Sequence, residues 1–122
     1  MSKALTAKLT LTGTAANFGD ELALAVTSTL SVVAPIQGIS QKTITTADNQ
    51  ELVDEAVSGV RYFYAKNLDS TNFVVLQTTA SVQYARLNPG EFAFFPINDS
   101  VGLEARADTD SCILEFAFFT KA

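Results

Sequence analysis

An all-β, two-sheet antiparallel β-sandwich, jelly-roll or Greek-key-like, is the fold this 122-residue chain predicts, on three observations. Apolar and polar residues alternate with period 2 near the N-terminus. Polar turn residues punctuate short extended runs in the second half. Eleven of the twelve aromatic residues lie between Gly59 and Phe119. Alternating runs separated by turns are what antiparallel sheets require, because successive strand side chains point to opposite faces. The length suits one core, so residues 1–122 are expected to form a single sandwich domain.

The first run places Leu5, Ala7, Leu9 and Leu11 on one side and Thr6, Lys8, Thr10 and Thr12 on the other, the pattern of a strand with one wet face. A turn-like segment follows from Gly13 to Asp20. The next run, Glu21 to Val33, carries Leu22, Leu24, Val26, Leu30 and Val32 on one parity, and its length predicts a bend or bulge. Pro35 and Gly38 end it, and Ile39 to Thr46 resumes an extended, threonine-rich pattern. In residues 48–58, Asp48 could cap a short helix with Leu52, Val53, Ala56 and Val57 at helical spacing. A short strand or loop around Glu51 to Asp54 is the favoured reading.

From Gly59 the runs follow one another as an antiparallel meander. Pro89 and Gly90 are spaced for a type II turn, since proline presets the first central position and glycine accepts positive φ at the second. The segments from Asn67 to Asn72 and from Asp108 to Ser111 use side chains that hydrogen-bond their own backbone in turns. The total is eight to ten strands with at most one short helix.

Thirteen acidic against eight basic residues give a formal charge of −5, which opposes attraction to phosphate backbones and anionic membranes. No nucleic acid and no membrane are expected as partners. The longest uncharged stretch, Leu22 to Gln41, is broken by Thr27, Ser28, Thr29, Ser31, Pro35, Gln37 and Gly38, so it is not read as a membrane span. Residues 1–15 lack the apolar core of a signal peptide, because Lys8 and the threonines interrupt it. Cys112, the single cysteine, sits in the apolar run CILEFAFF and is read as a buried small hydrophobe.

The chain contains no histidine, which removes the commonest general base and the commonest transition-metal ligand. Neither an enzyme nor a cofactor is expected. Glu91, Glu104, Asp108, Asp110 and Glu115 are the carboxylates a glycosidase would need, but no pattern positions two of them across a cleft, and solvated turns explain them. Asp99, Asp108 and Asp110 offer oxygen ligands for calcium without a recognisable loop spacing, so no metal site is assigned. Tyr62, Phe63 and Tyr64 beside Arg61 and Lys66 resemble a base-stacking surface, yet sheet packing explains them and the net charge favours packing.

The surplus lies in the last strands, which are apolar on both parities. Phe92 and Phe94 oppose Ala93, Phe95 and Ile97, while Cys112, Leu114, Phe116 and Phe118 oppose Ile113, Ala117 and Phe119. A strand of a two-sheet domain has one dry face, so the second apolar face must meet another part of the chain, another subunit or solvent. Phe92, Phe94, Phe116, Phe118 and Phe119 are the expected protein-interface residues.

The run GVRYFYAKNLDSTNFVVL, with Asn67, Asp69 and Asn72 in its turn, ARLNPGEFAFFPI and GLEARADTDSCILEFAFF resemble small β-sandwich virion structural proteins of tailed bacteriophages. The resemblance covers roughly the second half and the approach through Thr45, Thr46 and Ala47. It implies a non-enzymatic particle component, made in the host cytoplasm and located in the virion. A capsid decoration or other head-associated subunit is expected, acting by repeated contacts with other virion proteins and with its own copies as a homo-oligomer. The alternatives are a tail-associated subunit and a carbohydrate-binding module using Tyr62, Tyr64, Tyr84 and Asp69.

Overall fold

The computed structural model describes residues 2–14, 22–33, 39–47, 50–56 and 58–122, and these form ten strands and no helix. They are β1 (Ser2–Gly13), β2 (Leu22–Val33), β3 (Ser40–Ile44), β4 (Gln50–Val53) and β5 (Arg61–Asn67), then β6 (Val74–Gln77), β7 (Gln83–Leu87), β8 (Phe92–Ile97), β9 (Leu103–Ala107) and β10 (Cys112–Thr120). The chain divides into two compact units, Met1–Ala34 with Ala122, and Pro35–Lys121.

The first unit is a two-stranded antiparallel ribbon whose twelve rungs run without a break from Ser2·Val33 to Gly13·Leu22. The bulge expected in the long second run is therefore absent. Bulges lie instead in the short strands, between Glu51 and Val53 and between Leu76 and Gln77, where a sheet curves around a core. A two-stranded ribbon can take up its length by twist instead. Beyond Thr14, the expected turn from Gly13 to Asp20 lies outside the described residues, as do Pro35, Gly38, Asp48 and Val57.

The second unit is the sandwich. One sheet has the order β3-β10-β5-β8 and the other β4-β9-β6-β7, both antiparallel. Four pairings nest inside one another: β3 with β10, β4 with β9, β5 with β8, and β6 with β7. Together they are one long folded ribbon, and rolling it creates the two further pairings, β10 with β5 and β9 with β6. That is the jelly roll among the expected alternatives. The meander is corrected by this topology, since within the sandwich only β6 and β7 pair with a sequence neighbour. Strand Gln50–Val53 resolves the ambiguity in residues 48–58 in favour of strand over helix.

The core is built from the inward parities of both sheets. Ile44, Phe63, Ala65, Ile97, Cys112 and Leu114 come from the first sheet, and Val53, Val74, Leu76, Leu87, Leu103, Ala105 and Ala107 from the second. Cys112 is 1% exposed, with its Sγ 3.6 Å from the Asp110 carbonyl oxygen, as the apolar run around it predicts. Gly90 has φ +81, and the Glu91 amide donates to the Asn88 carbonyl at 2.9 Å, so the Pro89-Gly90 turn closes as its residues dictate. Gly102 is required by proximity: a Cβ there would lie 2.8 Å from Thr79 Cγ2 and 3.1 Å from the Val53 carbonyl oxygen.

Candidate contact face

The two outer faces of the sandwich differ in chemistry. On the second sheet, the outward parity brings Val75 level with Arg86 and Arg106, and Glu104 level with Gln77 and Glu51. On the first sheet, three outward rows cross β10, β5 and β8: Phe119·Tyr62·Pro96, Ala117·Tyr64·Phe94 and Glu115·Lys66·Phe92. Alternation alone produces this face, because inward residues of the same strands are already committed to the core.

Of the five phenylalanines expected at an interface, Phe92, Phe94 and Phe119 lie on this outward face. Phe92 is 64% exposed and Phe94 41%. Phe116 and Phe118 have the opposite parity and pack against the core. The Tyr62 ring stacks on Phe94 at 6.5 Å and 18°, which extends the aromatic surface inward from the edge strand β8. Ile113, 47% exposed, is a further contact candidate beyond those five phenylalanines, whereas Tyr62 is buried at 8%. The signal of Ile113 in the sequence is the parity it shares with Phe119 and Ala117.

The cluster of Tyr62, Phe63 and Tyr64 is split by the pleat. Phe63 is fully buried, whereas Tyr64 faces outward and its hydroxyl donates to Glu115 Oε1 at 2.7 Å. Burial first, then this hydrogen bond and the charge of Glu115, push the Tyr64 pKa up to about 12. Partial desolvation alone pushes Tyr84, whose side chain is still 49% exposed, up to about 12. A raised phenol pKa means the unfolded chain loses the proton first, so each contribution is intact below about pH 10 and is lost as pH rises towards 12. Absorbance titration of the phenolates should therefore show two late tyrosines. Glu115→Gln should bring Tyr64 down and leave Tyr84 unmoved; equal behaviour of both would refute the assignment.

The carboxylates weighed for catalysis or calcium serve turns or lie apart. Glu91 Oε1 accepts from the Asn88 amide at 2.7 Å, Asp110 Oδ1 from the Ser111 amide at 2.8 Å, and Asp108 Oδ2 from the Thr109 hydroxyl at 2.9 Å. Asp99 accepts from the Gly59 amide and the Ser100 hydroxyl, and the first of these chiefly holds its carboxyl below the usual range. Glu104 is buried on the second sheet. Among the described residues, no three acidic or cysteine side chains gather where a metal ion could sit.

The residues weighed for sugar binding do not converge. Tyr62 and Tyr64 belong to the first sheet and Tyr84 to the second, while Asp69 is held in its loop by the amides of Thr71 and Asn72. A groove of about 300 Å³ on the second sheet is lined by Phe73, Val75, Gln83, Tyr84, Ala85 and Arg86, so Tyr84 is the one candidate that borders it. The Arg86 guanidinium lies 3.6 Å over the centre of the Phe73 ring and occupies the platform a sugar would use.

The motifs behind the phage resemblance meet in space. Asn67 is fully buried at the end of β5, and its Nδ2 donates to the carbonyls of Asn72, at 2.9 Å, and Leu87, at 3.0 Å. Its Oδ1 accepts from the Asp69 amide at 2.9 Å, and its backbone bonds both Glu91 and Gly90. The Asn67 to Asn72 turn and the Pro89 to Glu91 turn are thus one hydrogen-bonded unit that positions β8 and its outward aromatic residues. No protein-family model, curated protein or solved structure matches this chain.

Proposed function

We propose that the chain is a non-enzymatic virion structural protein of a tailed bacteriophage, a capsid decoration or other head-associated subunit that works through repeated protein–protein contacts. The observation that carries this reading is the aromatic outer face of the first sheet, with Phe92 and Phe94 exposed at its edge. Soluble monomers seldom expose contiguous large aromatic surface without a partner for it. A jelly roll supplies two broad faces, and here one is aromatic while the other carries arginines and glutamates. Symmetric repetition makes individually weak contacts of this kind collectively strong.

Peptide mass spectrometry of particles purified from the virus that encodes the chain is expected to find it in many copies per particle. Its absence from the particle would sink the proposal. Recovery with separated tails instead of heads would move the subunit to the tail.

A further inference from the structure

We infer that β8 pairs through its free edge with the same edge of a second copy of the chain, antiparallel and about a two-fold axis at Phe94. This deepens the repeated-contact reading and rests on its self-association component, not on the assignment to a phage. The sandwich has four edge strands, β3 and β8 on the first sheet and β4 and β7 on the second. Edges are blunted against pairing by charged side chains, and Lys42, Glu51 and Arg86 supply one on β3, β4 and β7. β8, with the sequence Phe-Ala-Phe-Phe-Pro-Ile, carries none.

The hydrogen-bond register fixes what this edge offers. The Asn67 amide donates to the Glu91 carbonyl at 3.0 Å, while the next amide, that of Leu68, donates to the Ile113 carbonyl at 3.0 Å on the other side. Alternation then commits the backbone groups of Ala93, Phe95 and Ile97 to β5. Those of Phe92, Phe94 and Pro96 point the other way, where no strand lies among the described residues. All three of these residues are exposed. Proline has no N–H, so the free edge holds donors at Phe92 and Phe94 and acceptors at Phe92, Phe94 and Pro96.

That set is complementary to itself. With the axis at Phe94, each Phe94 amide donates to the Phe94 carbonyl of the other copy, and each Phe92 amide to the Pro96 carbonyl of the other copy. Both donors of both copies are used, and only the Phe92 carbonyls, at the ends of the contact, are left to water. A proline on an edge guards against pairing, but here its missing donor falls on the outermost rung and weakens the pair without forbidding it. Two sheets of four strands become one of eight, and the outward row Ala117·Tyr64·Phe94 continues into its own copy across the axis. Six residues of edge bury less than the roughly 1,200 Å² of a standard interface, so a dissociation constant on the order of 100 µM is expected. Repetition on an assembly supplies the strength that one such contact lacks.

Sedimentation velocity on the full-length protein, up to about 1 mM, brackets that constant. The wild type should dimerise. Pro96→Ala restores the missing donor at both outer rungs and should tighten the dimer about tenfold. Phe94→Pro removes the central donor, which β5 does not use, and should leave a monomer, whereas Phe94→Ala keeps that donor and should weaken the dimer only in part. Circular dichroism checks that the proline variant keeps its sheets. If it does not fold, Phe92→Pro against Phe92→Ala makes the same comparison at the first position of the strand, where proline is best tolerated.

Monomers in both the wild type and Pro96→Ala overturn the inference. Equal weakening by proline and by alanine also overturns it, because the contact would then run through the side chains of the aromatic face and not through the edge. Either failure leaves the virion proposal intact, because that proposal stands or falls on whether the chain is found in purified particles.

Discussion

Asn67→Ala is expected to destabilise the sandwich by about 3–5 kcal/mol, a large part of the stability of a domain this size. The side chain is fully buried, and its amide serves three backbone groups: the carbonyls of Asn72 and Leu87 and the amide of Asp69. Truncation removes all three partners at once, and each group that stays buried without a partner costs about 1–3 kcal/mol. Water entering the vacated space offsets part of that. Asn67→Asp keeps the acceptor for Asp69 but loses both donors and adds a buried charge, so it should be no better than alanine. Urea unfolding at neutral pH measures both; a loss below about 1 kcal/mol for the alanine variant would mean that the two turns hold without their shared residue.

The predicted fold class rests on local chemistry, and that chemistry was legible. The parity of Leu5 to Leu11, the spacing of Pro89 and Gly90 and the Asx chemistry of Asn67 and Asp69 each specify strand or turn within a few residues. Pairing was not legible, because it is decided by contacts far apart in sequence. β5 bonds β10 and β8, neither of them its neighbour in the chain, and no local signal distinguishes that from a meander. The same holds at the N-terminus, where alternation announces strands with one wet face but not which sheet they join. β1 and β2 join only each other.

The outward face of the first sheet shows where parity stops being informative. β10 is apolar on both sides, and only the second sheet, by covering Phe116 and Phe118, leaves Phe119 and Ile113 facing outward. Tyr62 illustrates the converse. Its neighbours Arg61 and Phe63 made it look like part of a stacking cluster, whereas the pleat turns Phe63 inward and sets Tyr62 beside Phe94.

Phe63→Ala is expected to cost about 3–5 kcal/mol, combining lost transfer free energy with the cavity left behind. Phe63 is fully buried on the central strand β5, level with Phe118 on one side and Phe95 on the other. Its ring lies 5.6 Å from that of Phe95, which meets Tyr84 of the opposite sheet edge-on at 6.3 Å and 84°. The three rings link the two sheets, so the cavity cannot close by a shift of one strand alone. Each kcal/mol lowers the melting temperature of such a domain by about 4–8 °C, which puts the expected drop above roughly 12 °C. Phe92→Ala, on the adjacent strand but 64% exposed, should change stability by about 0.5 kcal/mol or less and should instead weaken self-association or particle binding. Calorimetry paired with sedimentation on the two variants separates packing from contact. If Phe92→Ala melted as early as Phe63→Ala, its ring would be part of the fold, and the aromatic face would lose its claim to be held ready for a neighbour.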